Sequence, residues 1–500
     1  MKIHKVSTLL LASMLFWTTG CEKDLLDQSN PNAPTVENFW QTADDASKGV
    51  IAAYSGVQLT GIYGRMWHFA TIPRSDEAYS QSPYTDLANY TRFLQTNYNF
   101  EYTQFMWNDY YRGVFRANQV LTRVPAIAMD ETLKKQVIGE ATFLRSLLYF
   151  DLAHLFGNVP MPLTESTSTA RFPQASREQV LAQITADLEA VKPNMPVSYT
   201  GADRYRVTRG AVAALLGKVY MQQNEWAKAA AQFDEIIKSG QYALTPNYLD
   251  NFTAANENNS ESIFEIQYSD ALLGAGQDNS SASEGCERAQ FFGPPVVTYS
   301  DVQPRRWIYD EFNDLTRDGK PDPRRDITMF SATSTDPLVY GQTYAQRGYN
   351  TSQLYWRKYQ NDRTRTFENF VSPINFRVIR YADVLLMQAE ALNEMKQTAA
   401  ALALVNQVRN RVNLALLTGS STYESMKAQI RHERVTELSG EGTRWTDINR
   451  YGLLKNQAGV NELKARDADF NNFVIGKSDL LPLPQSDTDL DKNLVQNPGW

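Results

Sequence analysis

Apolar residues recur at every third or fourth position along much of the chain, which is the spacing of helices with one buried face. Between Asp130 and Leu155 this spacing is continuous, and Asp130 is placed to cap the helix. A similar helix around Trp107 precedes it and ends near Pro125. The pattern predicts further helices over 44–57, 176–191, 208–222, 226–238, 380–395, 398–412 and 423–438. The chain is therefore predicted to be mostly α-helical.

Two of these helix pairs have the spacing of tetratricopeptide repeats. In such repeats small residues let antiparallel helices approach closely, and aromatic residues fill the groove between them. The positions that match are Leu216, Gly217, Tyr220, Ala229 and Phe233 in the first pair and, more weakly, Ala389, Leu392, Ala401 and Val405 in the second. Because one pair cannot bury both faces alone, we expect the pairs to stack into a curved scaffold.

Helical periodicity is lost between about Thr245 and Ser372, where Gly, Pro, Ser, Asn and aromatic residues dominate. Short alternating runs at 262–268 and 376–379 predict strands, and the rest predicts long loops. Loops of this length in a compact protein usually carry function. We therefore predict one domain over 21–500, with a helical part (21–240), a loop-rich ligand face (241–375) and a C-terminal helical part (376–500).

The first 20 residues have the pattern of a signal peptide. Lys2 and Lys5 precede an apolar run over 8–17 that is too short to span a bilayer, and Thr18, Thr19 and Gly20 follow it. A cysteine directly after such small residues, here Cys21, is typical of bacterial lipoproteins, in which it is acylated. Thr18 stands where leucine is usual, so secretion with an incidental cysteine is the alternative.

Composition excludes some classes of function. The chain is 42% apolar and 12% aromatic, enough for a large core. Removing residues 1–20 removes two lysines and no acid, so 49 basic residues become 47 against 56 acidic ones, a net charge of −9. Nucleic acid is not an expected partner of such a surface.

Sequence signatures of enzymes are mostly missing. His432 and Glu433 begin a zinc-binding pattern, but Thr436 stands where the second histidine of that pattern is required.

Aromatic residues are concentrated in two loop stretches. The first contains Tyr63, Trp67, Tyr79, Tyr84 and Tyr90, and the second contains Trp307, Tyr309, Tyr340, Tyr344, Tyr349, Tyr355 and Trp356. A ring of this kind can pack against the C–H face of a sugar while neighbouring polar side chains bind its hydroxyls. Polar loops rich in Tyr and Trp therefore predict a groove for carbohydrate or peptide.

A series of short motifs resembles the SusD/RagB family of surface nutrient-binding lipoproteins over nearly the whole chain after Cys21. The series includes 25–27, 39–42, 75–77 (Ser-Asp-Glu), 139–145, 156–160, 322–324 (Asp-Pro-Arg), 357–359 (Arg-Lys-Tyr), 380–383, 389–393, 433–434, 437–438, 442–450, 481–484 and 496–500. Each motif is weak alone, but their order along the chain is specific. Most of them are expected to be structural.

The resemblance implies a SusD-like helical scaffold with no catalytic activity, anchored on the outer face of the outer membrane. No cofactor and no metal site is predicted. It also implies a partner, a SusC-like TonB-dependent transporter that receives oligosaccharide from the lipoprotein. By position in the family, the predicted glycan-binding residues are Trp67, Tyr84, Tyr90, Trp307, Tyr344 and Tyr349. RagB-like members take peptides, so peptide uptake is an alternative; a secreted glycosidase or lyase and an envelope scaffold are less favoured.

Overall fold

The structure is a computed structural model that describes residues 39–96, 98–167, 169–271, 284–419 and 421–500. Cys21 and the predicted signal peptide lie outside these residues. The helices are α1 (Ala43–Val57), α2 (Met66–Thr71), α3 (Thr85–Thr91), α4 (Glu101–Arg123), α5 (Glu131–Leu155), α6 (Arg177–Val191), α7 (Arg209–Gln222), α8 (Trp226–Lys238), α9 (Arg288–Phe291), α10 (Arg306–Glu311), α11 (Arg324–Thr328), α12 (Tyr344–Arg347), α13 (Tyr381–Glu394), α14 (Thr398–Arg411), α15 (Tyr423–Leu438), α16 (Thr443–Arg450), α17 (Gln457–Arg466) and α18 (Gln485–Leu490). Among the described residues, no helix is both long and apolar enough to cross a bilayer.

Apart from α4, which begins six residues before Trp107, the predicted long helices begin and end where the periodicity predicts, to within one residue. The Asp130 carboxylate accepts a hydrogen bond from the Leu133 amide at 2.9 Å, so the predicted cap is present. The α4 helix ends at Arg123, and Pro125 lies in the 3₁₀ turn that follows it. The mostly helical fold class is confirmed.

The two tetratricopeptide-like pairs stack as predicted. Helix α7 packs on α8, α13 packs on α14, and α8 packs against α13 to join the pairs. At Gly217 a Cβ atom would lie 2.4 Å from the Phe233 ring, so only glycine allows this ring to fill the space between α7 and α8. The pairs thus form one continuous helical layer.

Eight short strands form four two-stranded antiparallel ladders in the described part of the chain. They are β1 (Ala78–Ser80), β2 (Val159–Pro160), β3 (Gln174–Ala175), β4 (Ser262–Ile266), β5 (Val302–Pro304), β6 (Met329–Phe330), β7 (Tyr355–Trp356) and β8 (Phe376–Arg380). Strands β4 and β8, which the alternation predicts, pair with each other. Strand β4 lies near the beginning of the loop-rich region, and β8 directly precedes α13. Their pairing therefore joins the beginning of this region to the segment that leads into α13.

Helices α16 and α17 have no counterpart in the sequence prediction. Apart from Trp445 and Ile448, α16 consists of polar residues, so it lacks apolar periodicity. Its burial depends on charge pairing instead: the Arg444 guanidinium binds the Asp76 carboxylate through two hydrogen bonds of 2.6 and 2.7 Å. A hydrophobic pattern cannot predict a helix that is held in this way.

A set of charged side chains is enclosed at the centre of the C-terminal half. We call this set the buried charge network. It contains five basic and five acidic side chains, each at most 3% exposed. The members are Arg324, Lys358, Arg380, Arg409, Arg411, Glu261, Asp322, Glu433, Glu437 and Glu441. Arg324 binds Asp322 and Glu433 at 2.7 Å each. The charges are equal in number, which makes their burial tolerable.

Candidate functional site

Exposed aromatic side chains lie beside one end of the ladder between β1 and β5. Ser80 pairs with Val302, and the Gln81 amide extends the ladder by donating to the Asp301 carbonyl at 2.7 Å. Because the strands are antiparallel, the chain after Gln81 and the chain before Asp301 leave the ladder at the same end. Tyr84 lies on the first of these segments and Tyr299 on the second.

Tyr299 is the centre of an aromatic group on this face. Its side chain is 49% exposed, and its ring meets Phe291 and Phe370 nearly edge-on, with centroids 5.6 and 5.7 Å apart. Phe367, near Phe370, is 61% exposed. Edge-on contacts hold a ring without covering both of its faces. This group therefore offers flat apolar surface to a ligand.

The loop that carries Tyr299 has an unusual backbone. Val296 and Ser300 both have positive φ, at 75° and 58°, and Val296 is 82% exposed. A β-branched residue in the left-handed region is strained by an amount on the order of 1–3 kcal/mol. The loop is fixed by the bond from the Tyr299 amide to the Gln290 carbonyl, at 2.8 Å. The ring is therefore held in place on a constrained loop.

Tyr84 provides a second ring on the same side. It is 39% exposed and meets Tyr102 edge-on at 5.6 Å. Its hydroxyl donates to the Glu101 carboxylate at 3.0 Å. Partial burial and this carboxylate raise the pKa of Tyr84 to about 12, so the hydroxyl stays neutral at physiological pH. The hydrogen bond fixes the ring while part of its surface faces solvent.

Polar residues precede Tyr84 and follow Tyr299 along the chain, and of these Ser82 and Asp301 are 9% and 6% exposed. The Gln81 side chain is exposed, and its amide donates to the Tyr79 hydroxyl at 3.0 Å. The Asp301 carboxyl is near Ser82; burial raises its pKa to about 6, although the hydrogen bond with Ser82 and the charge of Arg65 oppose the shift. We call the set Tyr84, Tyr299, Phe367, Phe370, Gln81, Ser82 and Asp301 the aromatic surface. It combines ring faces with hydrogen-bonding groups.

The structure places Trp67 and Tyr90, two of the predicted binding residues, in the main core. Trp67 is 9% exposed, and its ring packs on Tyr63 at 4.8 Å and against Gly442, where a Cβ atom would lie 2.4 Å from the indole. Tyr90 is 2% exposed, and the Arg74 guanidinium lies 5.0 Å above its ring. Both side chains are therefore almost entirely enclosed by protein and lie outside the exposed aromatic group around Tyr299.

The remaining predicted residues are dispersed. Tyr344 and Tyr349 are 5% and 9% exposed and pack together, at 5.5 Å, in a small separate hydrophobic cluster with Tyr355. Trp307 is half-buried beside a different cavity, between α10 and α15. Of the six predicted residues, Tyr84 alone belongs to the aromatic surface. The structure does not bring the six together.

Sequence reasoning missed Tyr299, Phe367 and Phe370. Tyr299 follows the run Pro294-Pro295-Val296-Val297-Thr298 and precedes Ser300 and Asp301, so it is an aromatic residue among prolines and polar residues. That context could have indicated an exposed ring, since residues of this kind favour surface turns. Phe367 and Phe370 follow a charged stretch over 361–366 and carry a similar signal.

Of the several cavities in the described part of the chain, two that lie away from the aromatic surface exceed 300 Å³. The larger has a volume of about 370 Å³ and is lined by α4 and α18, with Trp107, Tyr111 and Phe115 on the α4 side. Trp107 is held there by a hydrogen bond from its indole nitrogen to Asp487 at 3.2 Å. The second, of about 330 Å³, is lined by Trp307 and the charged face of α15. Either could also accept a small ligand.

A helical scaffold with an aromatic surface on its loops defines a class of binding protein, and comparison with known proteins identifies its family. Residues 260–500 match the model described as the SusD family, and residues 24–221 match the model described as starch-binding associating with outer membrane. The chain therefore belongs to the SusD/RagB family. This is a family of non-catalytic binding proteins.

Relatives match along nearly their whole length. SusD-like protein P38 of Formosa agariphila is 26% identical over 475 residues, covering 89% of this chain and 90% of the relative. A SusD superfamily protein from Bacteroides vulgatus has a TM-score of 0.81 at 26% identity, covering 93% of this chain and all of that one. A laminarin binding SusD-like protein has a TM-score of 0.75 at 27% identity, covering 92% and 100%.

Proposed function

We propose that this protein is a glycan-binding lipoprotein of the outer membrane that captures oligosaccharide on its aromatic surface and passes it to a SusC-like TonB-dependent transporter. The observation that carries the proposal is the exposed ring of Tyr299 on a constrained loop, at the end of the β1–β5 ladder where the segment of Tyr84 also leaves. Membership of a family of non-catalytic binding proteins supports capture rather than turnover.

The chemistry of the aromatic surface suits a sugar chain. The faces of Tyr299 and Phe367 can pack on the C–H faces of successive sugar rings, which are apolar. The exposed Gln81 side chain can exchange hydrogen bonds with the hydroxyls at the ring edges. Because the surface is open, several sugar units can bind along it with modest affinity at each. The laminarin-binding relative makes laminarin the first glycan to test.

Binding is tested by calorimetric titration with laminarin and with other neutral polysaccharides, using the wild type and Tyr299→Ala with Phe367→Ala. Losing two stacking rings is expected to weaken binding by about tenfold or more, because each ring contact contributes about 1 kcal/mol. Phe115→Ala is the matched control: Phe115 is 37% exposed and lies about 20 Å along α4 from Glu101, in the larger cavity. Loss of binding in the control alone would assign the ligand to that cavity.

The anchor and the transporter are parts of the same proposal. If Cys21 carries lipid, the protein is held at the membrane, and tethering raises the ligand concentration at the transporter above that in solution. Replacing Cys21 with Ala should release the protein from the membrane fraction while leaving its affinity for oligosaccharide unchanged. A transporter should co-purify with the wild type from detergent-solubilised membranes. Binding of peptides but not of any glycan would favour the RagB-like alternative.

A further inference from the structure

The cavity beside Trp307 has a lining rich in positive charge. We call it the Arg431 pocket; its volume is about 330 Å³, and its charged lining residues are Lys427, Arg431, His432, Arg444, Arg466, Glu311, Glu424 and Glu462. Helix α15 places Lys427 and Arg431 on one face, one turn apart. The two cations are close enough to oppose each other, since the charge of Arg431 lowers the pKa of Lys427, although nearby groups raise it overall.

Most of the cations in this pocket have carboxylate partners. His432 donates to Glu311 and Asp314, at 2.7 and 3.0 Å, and these bonds outweigh burial and raise its pKa to about 9. Arg444 binds Asp76 at 2.6 Å and Arg466 binds Glu462 at 2.9 Å. Lys427 lies 3.4 Å from Glu394. These pairs neutralise four of the five basic side chains.

Arg431 is different from the other four. Among the described residues its guanidinium has no carboxylate within 4 Å and no hydrogen bond, and its Nε is buried without a partner. Its guanidinium carbon lies 4.1 Å above the Tyr451 ring, so the group is oriented by stacking. Stacking leaves the in-plane N–H groups available, and these match the two oxygens of a carboxylate or sulfate. Glu424, also in the lining, lies two turns away along the exposed part of α15.

From this arrangement we infer that the Arg431 pocket binds an anionic group, a carboxylate or a sulfate carried by a sugar. The half-buried Trp307 ring forms an apolar wall of the same cavity, next to the guanidinium groups of Arg444 and Arg466 at 5.5 and 5.0 Å. An anion bound at Arg431 would satisfy its in-plane donors and reduce the repulsion from Lys427. The pocket is separate from the aromatic surface, so the inference does not depend on that site.

The test uses D-glucuronate, D-glucose and sodium sulfate as ligands of the full-length protein without its signal peptide. Glucuronate and glucose share a ring and differ in a carboxylate, so the difference between them isolates the charge. We expect glucuronate to bind in the millimolar range by saturation-transfer NMR and glucose to bind at least tenfold more weakly. If sulfate reduces the binding of glucuronate, the pocket is a general anion site that also accepts sulfate esters. If sulfate does not change the binding of glucuronate, the pocket is restricted to carboxylates. Sulfate binding without glucuronate binding assigns the pocket to sulfate.

Arg431→Gln is expected to weaken anion binding by about tenfold or more, and Arg431→Lys by less, because lysine keeps the charge but loses the planar pair of donors. Arg306→Gln is the matched control, since Arg306 is next to Trp307 in the chain but its exposed side chain does not line the pocket. Tyr299→Ala should bind glucuronate normally, whatever its effect on neutral glycans. Equal binding of glucose and glucuronate, binding of neither anion, or unchanged binding by Arg431→Gln in a protein of unchanged unfolding midpoint would overturn the inference.

Discussion

The buried charge network and the aromatic surface differ in nearly every physical property. The network's side chains are at most 3% exposed and have multiple partners, as Arg380 shows by contacting Glu261, Glu437 and Glu441 within 2.7 Å. On the aromatic surface, Tyr299 and Phe367 are 49% and 61% exposed. Removing a member of the first set leaves an excess charge buried in the interior, whereas removing a member of the second leaves solvent in its place.

The two regions also differ in how they appear in the sequence. Six of the ten network residues belong to motifs that carry the family resemblance: Asp322, Arg324, Lys358, Arg380, Glu433 and Glu437. Tyr299, Phe367 and Asp301 belong to none of these motifs. The residues that identify the family therefore build the scaffold, and the residues proposed to bind ligand lie outside the pattern.

The largest expected effect is that of breaking the network. Arg324→Met removes the partner shared by Asp322, Glu433 and Glu437, which leaves the buried Asp322 carboxylate without its ion pair and the network with one excess negative charge. The loss is expected to be about 3–5 kcal/mol of the free energy of unfolding, measured by urea denaturation. Arg306→Met removes an arginine of an exposed pair with Asp310 and should cost at most about 1 kcal/mol. A similar small loss in Arg324→Met would contradict the role assigned to the network.

The next effect concerns pH and the acid beside the network. Burial raises the pKa of Glu77 to about 8, and its Oε1 has no hydrogen-bond partner among the described residues. Because the folded pKa lies above the unfolded one, the protonated carboxyl favours folding below about pH 4.5, and this contribution is lost as pH rises toward 8. Glu77→Gln cannot ionise, so its stability relative to wild type should increase between pH 5 and 8, by an amount on the order of 1 kcal/mol or more.

This pH effect is measured as the difference in unfolding free energy between the two proteins at several pH values. A constant difference across the range would show that Glu77 does not bind a proton on folding. Tyr299→Ala measured alongside should show no such trend, since Tyr299 is exposed. The pH dependence of the unfolding free energy therefore distinguishes a buried titrating residue, Glu77, from an exposed residue of the aromatic surface, Tyr299.

On the aromatic surface the pattern of effects should reverse. Tyr299→Ala is expected to change the free energy of unfolding by about 0.5 kcal/mol or less, because the side chain is half exposed. The same change should weaken glycan binding severalfold by removing the central ring. A large loss of stability together with the loss of binding would show that Tyr299 supports the fold rather than the ligand.

The smallest expected effect on glycan binding is that of Tyr84→Phe. The change removes the hydroxyl that donates to Glu101 at 3.0 Å but keeps the ring. Stability should fall by about 0.5–1.5 kcal/mol at most, and glycan affinity should change less than twofold. Tyr84→Ala, which removes the ring, should weaken binding more than Tyr84→Phe does. Equal binding losses in the two variants would assign the contact to the hydroxyl instead of the ring.

The helical frame could be predicted from the sequence because periodicity and caps are local signals. The α5 helix repeats its apolar residues at regular intervals and begins at a side-chain cap, and the packing at Gly217 follows the spacing of tetratricopeptide pairs. Helix α16 could not be predicted, since its position depends on the pairing of Arg444 with Asp76, which is distant in the sequence. Spacing along the chain contains no information about such a contact.

The aromatic surface was predicted only in part, for a related reason. An aromatic residue in a loop can pack in the core or line a ligand site, and its exposure is decided by residues distant in the sequence. Tyr90 lies six residues after Tyr84, yet Arg74 and Phe100 cover its ring while Tyr84 remains exposed. The ladder between β1 and β5, which brings residues near 81 beside residues near 301, has no signal in either segment alone.

The claim that the aromatic surface binds glycan is tested most directly by affinity electrophoresis in gels that contain laminarin or other neutral polysaccharides. The account predicts that at least one polysaccharide retards the wild type and Phe115→Ala equally. The double variant Tyr299→Ala with Phe367→Ala should migrate as it does in a gel without polysaccharide. Equal retardation of the double variant and the wild type, or no retardation of the wild type by any polysaccharide, would contradict the account.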